Sequence, residues 1–307
     1  MQKVLRVFYS DHYTLPLPEG HRFPMVKYRM LRDLLLSEGI LQSHHLQESP
    51  LARPETLSLA HDPKYIQDMA EGTVEKGIIQ RIGFPWSLGL FQRSCATVGG
   101  ALGAALSALE NGFAGNLAGG THHAHFDRGE GYCVFNDIAV ASRFLLQNGY
   151  RQRIAIIDLD VHQGNGNSSI LSQDPRIFIL SLHGEKNYPF KKVPSTLDIG
   201  LPDGAGDEEF LKALDQALPQ VMEFRPDFIF YQMGVDPLKE DLLGKLNMTL
   251  EGLKERDRRV LTMAVQEKIP LSLALGGGYA KPIDLSVRAY ANTYQVAREI
   301  FTDLDWS

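Results

Sequence analysis

Cysteine is scarce in this 307-residue sequence: there are two, Cys95 and Cys133, far apart. That excludes a disulfide-stapled scaffold and fits a reducing cytoplasm, the expected location. Long apolar runs are missing too, so no segment is expected to cross a bilayer. The first eight residues, MQKVLRVF, lack the apolar stretch of a signal peptide. Nor is positive charge in excess. Lys and Arg number 31 against 37 Asp and Glu, a formal net charge of −6. This argues against a general nucleic-acid binder, because phosphate contacts need a basic face. The acidic balance is instead compatible with a cationic partner. Repeats, low-complexity tracts and linkers are absent, so one domain over residues 1–307 is expected. The oligomeric state is left open.

What is present is an ordinary globular composition, 44% hydrophobic and 22% charged. Apolar strand-like runs at residues 4–9, from 154, and at 176–182, 227–233 and 270–275 alternate with helical periodicity at 25–38, 63–77, 90–111, up to about 148, and at 207–223, 249–266 and 283–301. Such alternation predicts a single-domain, three-layer α/β/α fold with a central, mostly parallel sheet. Ala101, Gly103, Ala104 and Ala105 would let their helix lie close to that sheet. The aromatic stretch IGFPWSLG at 82–89 reads equally as a core anchor or as the hydrophobic rim of a pocket.

One stretch organises the rest: IAIIDLDVHQGNG, residues 154–166. It starts as a strand buried on both faces. Asp158, Asp160 and His162 then occur at every second position, which in a strand puts them on one side. Three other stretches also follow apolar runs. GGTHHAHF brings Gly119, Gly120, His122, His123 and His125; FIFYQMGVDPL brings Asp236; LALGGGY brings Tyr279. The carboxyl ends of parallel strands share one sheet edge, so these side chains are expected to converge. Asp160, His162 and Asp236 would then form a metal site of two oxygens and one nitrogen, with a position open for water. A neighbouring His can move a proton and Tyr279 can donate to a developing oxyanion, a set that suits amide hydrolysis. Each feature also has a plainer reading. His12, His21, His44, His45 and His125 read as loop residues, the glycines at 276–278 as a tight turn, and Asp236 before Pro237 as a helix cap. None of these plainer readings explains why the features share an edge.

Taken together, GGTHHAHFDRGEGYCVFND, IDLDVHQGNG, GVDPLKEDLLG and GGGY, in this order and spacing, resemble the histone deacetylase superfamily with its arginase-like fold. HQGNG and DRGEGYC look most like the class IV branch and its bacterial relatives. The likeness extends from YSDHYTLPLPEGHRFPMVKYRM to the last helix. It implies zinc, with iron(II) the alternative ion, held by Asp160, His162 and Asp236. It implies that His122 and His123 are a tandem pair, with His123 the general acid/base and Asp158 orienting and charge-stabilising His122. Asn165 stands where class I members carry a second Asp, which implies a less basic His123. By the same resemblance Tyr279 would hydrogen-bond the substrate carbonyl. Gly131, Tyr132, Tyr188, Phe190 and Gly277 would line an acyl-lysine channel, and Lys27 would lie near an internal exit channel. Ser181 and the backbone at Leu182, with Asp158, Asp160 and His162, would match a structural potassium site. The acidic rim residue of class I enzymes has no counterpart in IGFPWSLG.

The activity implied is removal of an acetyl or longer acyl group from the side-chain amine of lysine by metal-activated water. The partner would be an acyl-lysine protein or an acylated small amine, with no direct nucleic acid and no membrane. An acetylpolyamine or other small-amide deacetylase keeps the same site. A two-manganese ureohydrolase needs more bridging carboxylates than GVDPL supplies. A non-catalytic acyl-lysine reader would not need the His pair and Tyr279.

Overall fold

A computed structural model describes residues 3–306. Met1, Gln2 and Ser307, and so both expected domain limits, lie outside the described residues. In chain order the elements are β1 (Lys3–Val4), β2 (Val7–Tyr9), α1 (Lys27–Ser37), β3 (Leu46–Glu48), α2 (Pro54–Leu57), α3 (Pro63–Glu71), α4 (Lys76–Ile82), α5 (Leu88–Asn111), β4 (Phe113–Asn116) and α6 (Asp137–Gln147). They continue with β5 (Ile154–Asp158), α7 (Asn165–Leu171), β6 (Ile177–Gly184), β7 (Leu197–Leu201), α8 (Asp207–Glu223), β8 (Phe228–Gln232), α9 (Leu250–Gln266), β9 (Leu271–Ala274), α10 (Asp284–Ile300) and β10 (Leu304–Asp305).

Eight strands form one sheet in the order β3-β2-β4-β9-β8-β5-β6-β7. Every pairing in it is parallel. The sheet is therefore wholly, not just mostly, parallel among the described residues, and the chain forms one α/β domain. Strands β4, β5, β6, β8 and β9 are buried along their full length, because helices cover both faces. The four site-bearing stretches follow β4, β9, β8 and β5, which are four successive strands in the sheet. Convergence of the motifs is thus a consequence of strand order.

The small residues of α5 work as expected. A Cβ at Gly103 would overlap the Phe8 ring at 2.6 Å, so glycine there lets the helix axis approach β2. At its start Ser87 accepts a hydrogen bond from the Leu90 N–H, capping the helix.

Several expectations are corrected. The run at 4–9 is not one strand: β1 pairs with β10 and β2 pairs with β3 and β4, so the chain breaks between two different sheets. The strand-like run at 176–182 extends to Gly184 as β6, and β7 at Leu197–Leu201 lies outside every run read as a strand. β3 and β7 are the outer strands of the sheet, and pairing rather than apolar content makes them strands. Helices α4 and α7 were also not anticipated. α7 reads NGNSSIL, poor in helix formers, and burial of six of its seven residues holds it in place. In IGFPWSLG both readings hold: Phe84 is buried in the core, while Ile82 and Gly83 line the main cavity.

Candidate metal and active site

Strand β5 ends at Asp158, so Asp160 and His162 do not extend a pleated strand as the period-two reading assumed. They gather through side-chain to backbone bonds instead. Asp158 accepts from the Asp160 N–H at 3.3 Å, and Asp160 accepts from the His162 N–H at 3.0 Å. Each carboxylate curls the chain so that the next functional side chain points inward. Across β8, Asp236 accepts from the Val161 N–H at 2.9 Å, which locks the two loops in register. It does not cap a helix through its carboxylate, as the plainer reading had it.

Asp160, His162 and Asp236 each offer a donor atom, all within 4.8 Å of one another. His162 Nδ1 lies 3.0 Å from both carboxylates. The two carboxylates are 1% and 0% exposed, and their ion partners among the described residues are imidazoles only. Two buried acids without a Lys or Arg partner, set around one imidazole, fit a divalent cation. The titration of the group says the same. Burial and the Asp160 charge push Asp236 up to about 7. Burial disfavours charge on His162, yet hydrogen bonds to Asp160 and Asp236 raise it to about 10. Asp160 is driven up by burial, and the imidazoles of His122 and His162 overcome this and hold it well below the usual carboxylate range. The glycine run after β9 closes over the cluster. Its Gly277 N–H donates to Asp160 at 2.6 Å, and a Cβ at Gly277 would collide with the Asp236 carboxylate.

The tandem histidines lie beside this cluster, their rings 4.1 Å apart. His122 Nδ1 donates to Asp158 at 2.7 Å, and its Nε2 is 3.9 Å from Asp160. Burial lowers its basicity, but Asp158 and Asp160 outweigh this and raise it overall. His123 Nδ1 pairs with Asn165 Oδ1 at 2.7 Å. Burial and the charges of His122 and His162 keep His123 well below its ordinary value. The pair is thus split into one imidazole that favours its proton and one that gives it up.

His122, His123, Asp160 and His162 line a cavity of about 560 Å³. Gly131, Tyr132, Tyr188, Phe190 and Gly277, which the resemblance placed along a channel, are among its lining residues, and so is Tyr279. Tyr188 stands edge-on to His123 with ring centroids 5.0 Å apart, and Phe190 sits at the mouth, 90% exposed. Tyr279 is half-buried, and burial keeps its phenol protonated far above neutral pH. Lys27 is not part of the cavity wall. Its Nζ is buried beneath the glycine run, donating to the Gly278 carbonyl at 3.1 Å and lying 4.8 Å from the Tyr279 ring centre. Burial pushes this ammonium down to about 8. The potassium set is only partly assembled: Asp158 and Ser181 are register partners on β5 and β6, but Ser181 Oγ pairs with His183 at 3.0 Å.

Four residues near the site escaped the reading of motifs. Glu130 accepts from Asn165 Nδ2 at 2.7 Å, lies 3.4 Å from His125 Nε2, and accepts from the Tyr188 hydroxyl. These bonds overcome its burial and hold it at about 2. His125, on the loop between β4 and α6, is therefore a buried neighbour of the site. Asp137 accepts from the N–H groups of Gly120 and Thr121 at 3.0 and 2.8 Å and so fixes the loop before the His pair. Asp241 accepts from the Tyr279 N–H at 2.6 Å and from those of Leu243 and Gly244. Arg256, fully buried, donates to the carbonyls of Leu159, Met233 and Gly234 and so ties the ends of β5 and β8 together. Three of these lay inside quoted motifs (DRGEGYCVFND and GVDPLKEDLLG). Arg256 sits in KERDRR, which reads as a solvated helix face.

Comparison with known proteins gives a consistent picture. The histone deacetylase domain family matches residues 21–294. A probable deacetylase of Archaeoglobus fulgidus is 34% identical, over 89% of this chain and 80% of its own. Histone deacetylase 2 of Arabidopsis thaliana is 31% identical, over 90% of this chain and 74% of its own. Among solved structures, an HDAC homolog from Aquifex aeolicus superposes with a TM-score of 0.81 at 27% identity, covering 99% of this chain and 90% of that one.

Proposed function

This chain belongs to the histone deacetylase family, and from that premise we propose that it hydrolyses the amide of an acylated lysine side chain with a single zinc ion held by Asp160, His162 and Asp236. Iron(II) suits the same donors. When bound, the ion would polarise the amide carbonyl and lower the pKa of a water in its open position. The protein supplies the rest. Tyr279, protonated at neutral pH, donates to the carbonyl oxygen as negative charge develops there. His123, neutral at rest, takes the proton of the attacking water and delivers it to the departing amine. His122, whose basicity Asp158 and Asp160 raise against its burial, stabilises negative charge without leaving its position. Tyr132 and Tyr188 flank the methylene stem of the substrate. Asp158, Ser181 and the Leu182 backbone are the candidate seat of a potassium ion. The reducing cytoplasm, where Cys95 and Cys133 stay unpaired, is the proposed location.

The observation that carries this proposal is the presence of His122, His123 and Tyr279 in one cavity with the donor cluster. A non-catalytic reader has no use for them, and the single three-donor cluster among the described residues favours one ion over two. A panel of peptides carrying acetyl to long-chain acyl-lysine, assayed with a metal count, tests it. Turnover that a chelator abolishes, that zinc restores, and that Tyr279→Phe or Asp160→Ala nearly eliminates is the expected result. Full activity in either variant overturns the assignment.

A further inference from the structure

The floor of the cavity is buried and holds acids and imidazoles together, but its mouth carries charge of one sign. Arg22, Arg81, Lys186 and Lys245 line it, all exposed. Asp160, already assigned to the donor cluster at the floor, is the sole acid in the lining. None of the four cations forms an ion pair with a carboxylate among the described residues; Lys245 Nζ bonds the Lys186 carbonyl at 3.2 Å and Arg81 Nε the Gly77 carbonyl at 3.3 Å. They come from separate segments. Arg22 precedes α1 and adjoins Phe23, whose ring packs on Tyr132 at 5.1 Å. Arg81 lies in the last turn of α4, and its carbonyl accepts from Gly131 of the channel wall at 2.9 Å. Lys186 and Lys245 lie on the loops after β6 and β8. A chain of net charge −6 has therefore gathered unpaired positive charge around one opening. The net charge alone suggested a cationic partner, and the mouth has the opposite preference.

We propose that this mouth selects acyl-lysines flanked by acidic residues, with Arg22, Arg81, Lys186 and Lys245 providing the countercharge. The inference rests on the acyl-lysine reading above. Polyamines and lysine-rich tails, which keep free ammonium groups beside the acylated one, meet repulsion at the same place. A low-dielectric funnel with cations on several sides concentrates anions before any specific contact forms, so the effect falls mainly on KM and binding rather than on kcat.

The test uses three acyl-lysine peptides with one acyl group and acidic, neutral or basic flanks. Binding to the zinc-loaded protein is followed by fluorescence anisotropy and hydrolysis is followed in parallel. The expected order of affinity is acidic, neutral, basic, with steps of roughly fivefold or more that shrink as salt rises from about 50 to 500 mM. In the Arg81→Glu/Lys245→Glu variant, where two new acids offset the remaining Arg22 and Lys186, the preference collapses to near-equal affinity. Equal affinity for the three peptides, an order insensitive to salt, or stronger competition by acetylspermidine than by the acidic peptide overturns the inference. If all three peptides are hydrolysed without preference, the catalytic reading stands and this one falls. If binding follows charge but nothing is hydrolysed, the mouth assignment stands and the catalytic reading falls.

Discussion

Asn165 and Glu130 share a hydrogen bond of 2.7 Å, and through it a carboxylate sits one residue behind His123. The negative charge that a second Asp would place directly on His123 has moved outward and reaches it through an amide. A direct Asp would raise the basicity of His123, whereas the amide orients the ring and leaves it able to release its proton. Glu130→Gln should lower kcat roughly tenfold with little change in KM. Asn165→Asp sets two carboxylates face to face and should cost more activity than Glu130→Gln. The double variant Glu130→Gln/Asn165→Asp should recover activity, since the new amide can donate to the new acid. Steady-state kinetics on the four proteins checks the sign of this coupling.

The same carboxylate sets a limit at low pH. Glu130 titrates at about 2 in the folded protein against an ordinary 4.5. A depressed carboxylate adds stability that is complete above its unfolded value and lost as pH falls through its folded value. The wild type should therefore lose this contribution between about pH 4.5 and 2, and Glu130→Gln should show a shallower loss over that window in urea denaturation at stepped pH.

Metal binding should release protons. Without the ion, His162 holds its proton up to about 10 and Asp236 up to about 7. Coordination needs both groups deprotonated, so affinity should climb with pH, most steeply below 7. Zinc titration by calorimetry in buffers of different ionisation enthalpy should detect about one proton released per ion at pH 8. Release of none would contradict the assigned donors.

Asp241→Ala should cut kcat without removing the metal. Its carboxylate touches no donor-cluster atom but accepts from the N–H of Tyr279 at 2.6 Å, fixing where the phenol stands. A kcat loss of roughly 100-fold at unchanged zinc content is expected, with partial recovery in Asp241→Asn. Loss of zinc binding in parallel would show that the residue serves the cluster rather than Tyr279.

Arg256→Met should destabilise the fold by about 3–5 kcal/mol, because it strands the buried Asp257 carboxylate and three carbonyls. Asp257 also accepts from the Tyr231 hydroxyl and from Thr293, both at 2.5 Å, so a network is broken and not a lone pair. Chemical denaturation measures the loss, and weaker zinc binding should accompany it because the loops after β5 and β8 come apart.

The parts of the site that were legible in the sequence are those where one residue does one job next to a strand end. Asp160, His162, Asp236, His122, His123 and Tyr279 all occur within four residues of a glycine, in stretches that follow apolar runs. The geometric reason offered for Asp158, Asp160 and His162 was incorrect, since two loop turns and not a continuing strand bring them together. What escaped were residues whose value depends on partners distant in the chain. Glu130 is a loop acid until Asn165, 35 residues on, folds against it. Arg256 belongs to a charged run on a helix, and only the helix's rotation shows that this one cation faces inward. Short β3 and β7 and the helix NGNSSIL were missed for the same reason: their neighbours, not their own preferences, determine their form.

The four successive strands that carry the motifs have a consequence for how this protein can change. Everything that handles a proton or an ion is rooted in interior backbone, where a single substitution disturbs several partners at once. The cations at the entrance stand on exposed turns and on the last turn of a short helix, and the side-chain bonds they make among the described residues go to surface backbone carbonyls of Lys186 and Gly77. On the proposed reading, choice of client and capacity for chemistry therefore rest on separable parts of the molecule, and charge reversal at the entrance alters the first while the interior cluster keeps its partners.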